Sequence, residues 1–375
     1  MHPLRSARAA VLRARALSVP LALLAAVAVT SACAVTPDAA SAAPVVSSPD
    51  ARPADELRLG YFANVTHAGA VYGVGSGTFA DALGDTRLET QVFGAGPAAV
   101  EALFAGSIDA AYLGPNPAVN GFVKSRGEAL RIVAGATSGG ASLVVRKGIT
   151  SAEQLRGEKL ASPQTGGTQD IALRTWLAEQ GFEVDADGGG DVVIRAQENA
   201  QTLSEFQAGR IAGAWVPEPW ASRLVLEGGG EVLVDEADLW EGGRFVTTHL
   251  VVRTDFLRDH PQSVEALLRG QVEAEAQIAA DPERAKRVVN AELEELTGKA
   301  LQPATIDRAF SRIEVTSDPV ASSLRRSAED AVATGLVEEA DLTGIYDLTL
   351  LEAVLGRDVE DAGLGRAAAA EGEAR

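Results

Sequence analysis

The stretch Lys159-Leu-Ala-Ser-Pro-Gln-Thr-Gly-Gly-Thr-Gln-Asp170, which continues into Ile171–Gly181, decides how we interpret this chain. Its first three residues are typical of a short buried strand, and Leu173 and Leu177 share one face of a following helix. The glycine-rich turn between strand and helix leaves bare N–H groups at the first helical turn, at the positive end of the helix dipole. The stretch is therefore suited to hold an anion without a charged side chain.

The same turn also permits a purely structural interpretation. The hydroxyl group of Thr165 or Thr168 can cap the helix without any ligand being present. The stretch alone leaves both interpretations open. The order of the elements around it favours the anion site.

Length and composition restrict the class of protein. The 375 residues exceed one ordinary domain and suit two compact lobes, and a hydrophobic fraction of 46% is typical of a globular chain. A net charge of −19 argues against a nucleic-acid binder, which usually carries a basic face. It leaves a small anionic ligand possible, because local N–H dipoles can hold one in an acidic protein. Cys33 is the only cysteine, which excludes an intramolecular disulfide.

The N-terminal segment is typical of an export signal. A basic start is followed by the apolar run Ala16–Val29, which is too short for a membrane span of about 20 residues but suits a signal peptide. Thr30-Ser-Ala-Cys33 then resembles a bacterial lipobox, although Thr30 stands where Leu is usual. We predict a signal peptide at residues 1–32 and lipidation of Cys33, so that the exported protein is anchored to the outer face of the cytoplasmic membrane. The alternative is an ordinary signal peptide with an unrelated cysteine.

Strand and helix patterns alternate along most of the chain, which predicts an α/β fold with mostly parallel sheets flanked by helices. Ligands of such folds bind in the crevice outside the carboxyl ends of the strands. Four loops are predicted to lie there: Phe62–His67, Phe93–Pro97, Gly114–Pro117 and Thr137–Gly140. We also predict a helix from Thr66 to about Leu83, although its four glycines lower the helix propensity and leave a partly irregular segment as the alternative. Two further predictions are a break of the fourth strand at Ser138-Gly-Gly140 and helices alone after Arg253.

The strand pattern also predicts two lobes joined by two crossing strands, Ala141–Lys147 and Thr247–Arg253, which act as a hinge. The predicted segments of the chain are a flexible tether at residues 33–54, a discontinuous lobe I at residues 55–140 and 246–355, lobe II at residues 141–245, and a disordered tail at residues 356–375.

The chain resembles a known family, the solute-binding receptors of bacterial ABC importers with the type II periplasmic-binding-protein fold. It is most similar to the branch that binds aliphatic sulfonates, taurine and nitrate, which also includes binders of thiamine-pyrimidine precursors. The segments that carry the resemblance are Ala99–Ala110, Gly114–Pro117, Gly166–Asp170 and Ala214–Trp220. The first is a structural signature, and the last is the most specific for this branch.

The resemblance implies that loop side chains and N–H groups of both lobes hold the anionic head of a solute while the lobes close. The residues carried over as ligand contacts are Asn64, Thr66, His67, Asn116, Ser138, Gly139, Gly167, Thr168, Gln169, Glu218 and Trp220. Glu218 could accept a ligand ammonium group, as in taurine, or act as an acid at the start of a helix. Arg and Lys are missing from the predicted crevice loops, which favours a monoanion or a zwitterion over a doubly charged phosphate.

Three function classes remain in competition: a membrane-tethered receptor, an enzyme on the same fold, and a sensor or adhesin that serves no importer. Related enzymes use a cysteine- and histidine-rich centre, which a chain with its one cysteine in the lipobox cannot supply. We therefore predict a monomeric receptor without catalytic residues, cofactor or metal site, whose partners are the solute, an ABC permease and its ATPase. Aliphatic sulfonate or taurine is the favoured solute, and nitrate or a thiamine precursor is the alternative.

Overall fold

The computed structural model describes residues 45–339 and 341–365. The predicted signal peptide, Cys33 and residues 366–375 of the predicted tail lie outside the described residues. Two mixed sheets, each flanked by helices, confirm the predicted α/β fold class.

The two sheets contain six and five strands. The first has the spatial order β2-β1-β3-β10-β4-β11 and the second the order β9-β5-β8-β6-β7. In chain order the strands are β1 (Glu56–Tyr61), β2 (Arg87–Val92), β3 (Ala110–Leu113), β4 (Leu130–Gly139), β5 (Ala141–Val145), β6 (Lys159–Ser162), β7 (Val193–Ala196), β8 (Gly213–Pro217), β9 (Glu231–Asp235), β10 (Val246–Arg253) and β11 (Ile313–Val315).

Helices connect the strands and form the C-terminal part of the chain. The α-helices are α1 (Ala68–Gly75), α2 (Thr78–Leu83), α3 (Gly96–Phe104), α4 (Pro115–Lys124), α5 (Thr168–Glu179), α6 (Asn199–Gln207), α7 (Trp220–Leu226), α8 (Thr254–Asp259), α9 (Pro261–Ala280), α10 (Pro282–Thr297), α11 (Pro303–Phe310), α12 (Ala321–Ala333) and α13 (Thr349–Leu355). Short 3-10 helices occupy Val65–His67, Ala152–Leu155, Glu236–Leu239 and Glu241–Gly243.

The strand directions follow from the way the chain crosses between the sheets. β5 pairs antiparallel with its neighbours β8 and β9, and β10 pairs antiparallel with β3 and β4. Only Gly140 separates β4 from β5, and the chain returns between β9 and β10. The two crossing strands, β5 and β10, begin beside the carboxyl ends of the parallel strands in the sheet that they join. From there they can only run back towards the amino ends, which makes them antiparallel to those strands. The loops at these carboxyl ends therefore face each other.

Two predictions about single elements differ from the structure. The predicted helix from Thr66 to Leu83 consists of a 3-10 turn, α1 and α2, because Gly77 between the two helices has a φ of 80° and ends the helical path. The predicted break at Ser138 is absent because β4 continues through Gly139, which pairs with Ile313 of β11. β11 lies after Arg253, in the region that was predicted to contain only helices.

Each sheet buries its own apolar core. Leu57 and Leu59 are fully buried in the first core, and Leu143 and Trp215 are fully buried in the second. The indole Nε1 of Trp215 donates to Glu236 Oε2 over 2.7 Å, so this tryptophan is used inside the protein. Burial raises the pKa of Glu236 to about 7.

The folded body extends beyond both predicted boundaries. Ser48 N donates to Arg258 O over 2.9 Å, and Ala54 N donates to Ser263 Oγ over 2.9 Å, so the chain already packs on α8 and α9 before residue 55. Near the other end, Leu364 is 4% exposed and its carbonyl accepts from Gly344 N. None of the described helices is long and apolar enough to cross a membrane.

Candidate functional site

Loops from both sheets meet around a cavity of about 40 Å³, which we call the inner cavity. All of these loops lie at or near the carboxyl ends of strands, where ligands of open α/β sheets bind. The lining residues on the first sheet's side are Phe62, Asn64, Thr66, His67, Gly94, Ala95, Gly96, Gly114, Pro117 and Thr247. Those on the second sheet's side are Pro163, Gln164, Gly167, Thr168, Gln169, Asn199 and Pro217.

The turn between β6 and α5 is held in shape by one buried carboxylate. Asp170 Oδ1 accepts from Ser162 Oγ over 2.8 Å, and Oδ2 accepts from Gly166 N and from Arg174 Nε, both over 3.0 Å. Asp170 is fully buried and Arg174 is 5% exposed. The carboxylate therefore fixes the turn without itself lining the cavity, and the first residues of α5 line it instead.

The start of α5 offers hydrogen-bond donors that the protein does not use. Gly167 is the N-cap residue of α5, and no side chain caps this helix. The backbone N–H groups of Thr168 and Gln169 make no hydrogen bond with the described residues. Thr168 Oγ1 is buried and also lacks a partner. The helix-cap interpretation is therefore wrong for both threonines, and this arrangement suits an anionic head.

Removing the Thr168 hydroxyl should affect affinity rather than stability. In Thr168→Val we expect solute binding to weaken by about 1.5 kcal/mol, roughly tenfold, because one hydrogen bond to a charged group is lost. The melting temperature without solute should stay the same or rise, because an unpartnered hydroxyl is replaced by a methyl group of similar size. Calorimetric titration and thermal unfolding of the same samples check both expectations.

Thr168→Ser is the matched control, because it keeps the hydroxyl and should keep most of the affinity. A lowered melting temperature with unchanged affinity in Thr168→Val would instead assign Thr168 a structural role at the helix start.

Two more polar atoms of cavity-lining residues are buried without a partner. They are Nε2 of His67 and Oδ1 of Asn199, which starts α6. Together with Thr168 Oγ1 they come from three separate loops of the two sheets. Buried polar atoms in native structures nearly always have partners, so three orphans around one cavity point to a polar ligand.

The cavity is electrically neutral in its lining. None of the residues that line it is Asp, Glu, Lys or Arg. Burial lowers the pKa of His67 to about 3, so its ring stays uncharged at neutral pH. An anion bound here is held by N–H and O–H donors, without an ion pair.

The contribution of His67 to the free energy of unfolding falls as the pH drops from 6.5 towards 3, because the unfolded chain takes up the proton first.

Asn64, Thr66, His67, Gly167, Thr168 and Gln169 are the predicted contact residues that the structure brings together around the inner cavity. Asn116, Ser138 and Gly139 do not line it. Asn116 Nδ2 donates to Ser327 O over 2.9 Å and ties α4 to α12. Ser138 Oγ accepts from Phe245 N over 3.3 Å, and Gly139 O accepts from Thr247 Oγ1. Their polar groups are used inside the protein.

Glu218 and Trp220 lie beside the inner cavity rather than in its lining. Glu218 is 1% exposed, and its Oε2 accepts from Ser222 N over 3.0 Å, which is the arrangement of an acid at a helix start. Burial raises the pKa of this carboxyl. Its backbone carbonyl accepts from Val65 N and Thr66 N, which joins the two sheets' loops. Trp220 lines a separate cleft and donates from Nε1 to Asn64 Oδ1 over 2.9 Å.

Several lining residues were not selected from the sequence, among them Gln164, Asn199 and Thr247. Asn199 lies three residues after the end of β7, and the rule that ligands bind at carboxyl ends of strands would have found it. Gln164 lies inside the turn between β6 and α5. The described residues contain no group of three or more His, Cys, Asp or Glu that could hold a metal ion.

Comparison with known proteins gives a family match and several similar curated sequences. The model of the NMT1-like family matches residues 50–293, more than half of the chain. The taurine-binding periplasmic protein of Escherichia coli K12 is 28% identical over 207 residues, which cover 55% of this chain and 62% of that protein.

Solved structures show the same fold. The alkanesulfonate-binding protein SsuA from Xanthomonas axonopodis pv. citri, bound to MOPS, has a TM-score of 0.62 at 21% identity and covers 77% of this chain and 96% of its own. The periplasmic nitrate-binding protein NrtA from Synechocystis PCC 6803 has a TM-score of 0.62 at 17% identity, with 82% and 86% covered. These neighbours confirm the predicted type II periplasmic-binding-protein fold. By its sequence match, the chain belongs to the NMT1-like family.

Proposed function

We propose that the chain is the extracytoplasmic solute receptor of an ABC importer, which captures a small anionic or zwitterionic organic solute and delivers it to a membrane permease. The observation that carries the proposal is the set of three buried, unpartnered polar atoms around one neutral cavity between the two sheets. The taurine-, alkanesulfonate- and nitrate-binding proteins among its relatives and structural neighbours support the same class. Receptors of this kind carry out no catalysis.

Short aliphatic sulfonates and taurine are the favoured solutes. A sulfonate carries one negative charge over three oxygens, which suits the N–H groups of Thr168 and Gln169 together with the Thr168 hydroxyl. A doubly charged phosphate would call for an Arg or Lys partner, and the lining offers none. The neutral lining thus favours a monoanion or a zwitterion.

Nitrate is a second candidate because of the size of the cavity. The cavity of about 40 Å³ is small, and nitrate is the smallest of the solutes considered. A solute panel that includes nitrate separates the two candidates directly.

The capture motion we propose is closure of two lobes, residues 55–140 with 246–355 and residues 141–245. Gly140 and the segment between β9 and β10 are the connections that would act as hinges. Ligand binding would then compact the protein, which small-angle scattering can measure. An unchanged radius of gyration at saturating solute would count against closure.

The proposal includes export and a lipid anchor at Cys33, which lies outside the described residues. Cys33→Ala should release the protein from the membrane fraction, and unchanged retention would contradict the anchor. Neighbouring genes for a permease and an ATPase would separate an importer receptor from a sensor.

The deciding experiment is a binding screen of the mature protein at several pH values. We expect a sulfonate, taurine or nitrate to raise the free energy of unfolding by about 2.7 kcal/mol at a hundred times its Kd.

The Kd should change less than about twofold between pH 8 and pH 5, because His67, with its pKa lowered to about 3, stays neutral throughout. Affinity that rises as the pH falls through 6.5 would instead show that a protonated histidine holds the anion. Failure of every solute in the panel would contradict the proposed class.

A further inference from the structure

A second hollow lies directly beside the inner cavity. This outer cleft has a volume of about 380 Å³ and is formed by α7 together with the end of α10 and the segment before α11. Three chain segments line both hollows: Ala63–Asn64, Asn199–Ala200 and Pro217–Trp220. Asn64, Asn199 and Pro217 line the inner cavity. Residues one or two positions away from them in the chain, namely Ala63, Ala200 and Pro219, line the outer cleft. The wall between the two hollows is therefore about one residue thick.

Trp220 is the largest side chain in this wall, and two contacts hold it, one of them supported by a further ion pair. Its Nε1 donates to Asn64 Oδ1 over 2.9 Å, and this bond joins a loop of the first sheet to a helix of the second. The guanidinium carbon of Arg223 lies 4.6 Å from the centroid of the indole ring. Glu227 accepts from Arg223 Nε over 2.8 Å and keeps the guanidinium in place. The indole is half-buried, so its position depends on these contacts.

The two hollows differ in chemistry. The inner cavity presents unpartnered donors and acceptors, which suit a polar head. The outer cleft is walled mainly by apolar groups, including Ala63, Ala200, Leu293 and Leu301, although its lining also contains the charged residues Arg223, Glu227 and Lys299. Such a cleft would accept an aliphatic tail, but Trp220 and Asn64 stand between it and the head.

We propose that Trp220, positioned by Asn64 and Arg223, is the residue that sets the length of the solute. Trp220 lines only the outer cleft, and it closes the inner cavity on that side by holding the cavity-lining Asn64 in place, so that only solutes with a short body bind well. Removing the indole would join the two hollows and admit solutes with a longer aliphatic tail. This inference rests on the proposed function for the identity of the head group, but the wall itself is independent of it.

Titration with methanesulfonate, butanesulfonate and octanesulfonate tests the role of Trp220. We expect the unchanged protein to bind methanesulfonate at least tenfold more tightly than octanesulfonate. In Trp220→Ala this preference should shrink by at least tenfold, because each methylene buried in the cleft is worth roughly fourfold in Kd. Trp220→Leu should show a length preference between those of the unchanged protein and Trp220→Ala. It replaces Trp220→Ala as the test variant if the alanine variant does not fold. A preference that changes by less than threefold in both variants would overturn the proposal.

Trp240→Ala is the matched control. Trp240 is also half-buried and carries Arg326 over its ring at 4.5 Å, but it lines neither hollow. It should change the affinity for all three sulfonates by the same factor. A loss of length preference in this variant would show that truncation of a half-buried tryptophan acts by loosening the protein.

A crystal structure of Trp220→Ala grown without solute separates this proposal from the proposed function. We expect one continuous hollow where the inner cavity and the outer cleft are now divided. If the wall stays closed, Trp220 is not the partition and the proposal is wrong. If the hollows join and yet no sulfonate binds to any variant, the partition stands and the proposed solute class fails.

Discussion

Replacing Asp170 by Ala is expected to lower the free energy of unfolding by about 3–5 kcal/mol, because it leaves a buried guanidinium without its partner. Asp170 is fully buried and bonds Ser162, Gly166 and Arg174 at once. Arg174 keeps one further bond, from Nη1 to Asp185 O over 2.7 Å, which does not neutralise its charge. Urea unfolding of the mature variant measures the loss.

Glu153→Ala is the matched control for this prediction. Glu153 pairs with Arg156 over 3.2 Å, close to the 3.0 Å between Asp170 and Arg174, but its side chain is 73% exposed. We expect a loss below about 1 kcal/mol there, as is usual for surface ion pairs. Adding Arg174→Met to Asp170→Ala should recover about half of the large loss, since the unpaired charge is then gone. Equal losses in Asp170→Ala and Glu153→Ala would contradict the importance of burial.

The sequence predicted the order of the elements well because each strand and helix carries its own local pattern. The strand–turn–helix unit around Gly166 and Asp170, the crossing strand β5 and the return strand β10 all lie where periodicity and glycine positions indicated. β11 could not be predicted in the same way. Its three residues are too few to show alternation, and its partner, the end of β4, lies more than 170 residues earlier in the chain.

The candidate site shows the same division between local and distant information. Thr168 and Gln169 were recognised because the turn that presents them is local in sequence. Asn116 and Ser138 were selected for the same kind of loop position, yet their side chains bond to Ser327 and Phe245, whose proximity no local pattern reveals. The Trp220–Asn64 bond joins residues 156 positions apart, so the wall of the cavity was also beyond prediction.

Gly114 lies against Thr168 in the structure, and this contact supports the second large effect. Gly114 lies in the loop between β3 and α4 on the first sheet, and Thr168 starts α5 on the second. A Cβ atom at Gly114 would lie only 2.3 Å from Thr168 Oγ1, far inside contact distance. The backbone of Gly114, with φ −71° and ψ 162°, is one that alanine adopts readily. The added methyl group therefore opposes the approach of the two loops and leaves each of them unstrained.

We expect Gly114→Ala to weaken solute binding by at least tenfold, about 1.4 kcal/mol, while the melting temperature without solute changes little. The solute must then bind a protein whose closed, binding-competent form is less populated, and its apparent affinity falls in proportion. Calorimetric titration in two backgrounds tests the cause. In Thr168→Ala the hydroxyl is gone and the nearest remaining atom, Thr168 Cβ, would lie at 3.4 Å, so Gly114→Ala should then cost almost nothing. An equal loss in both backgrounds would show that the methyl group acts elsewhere, and that this contact does not govern closure.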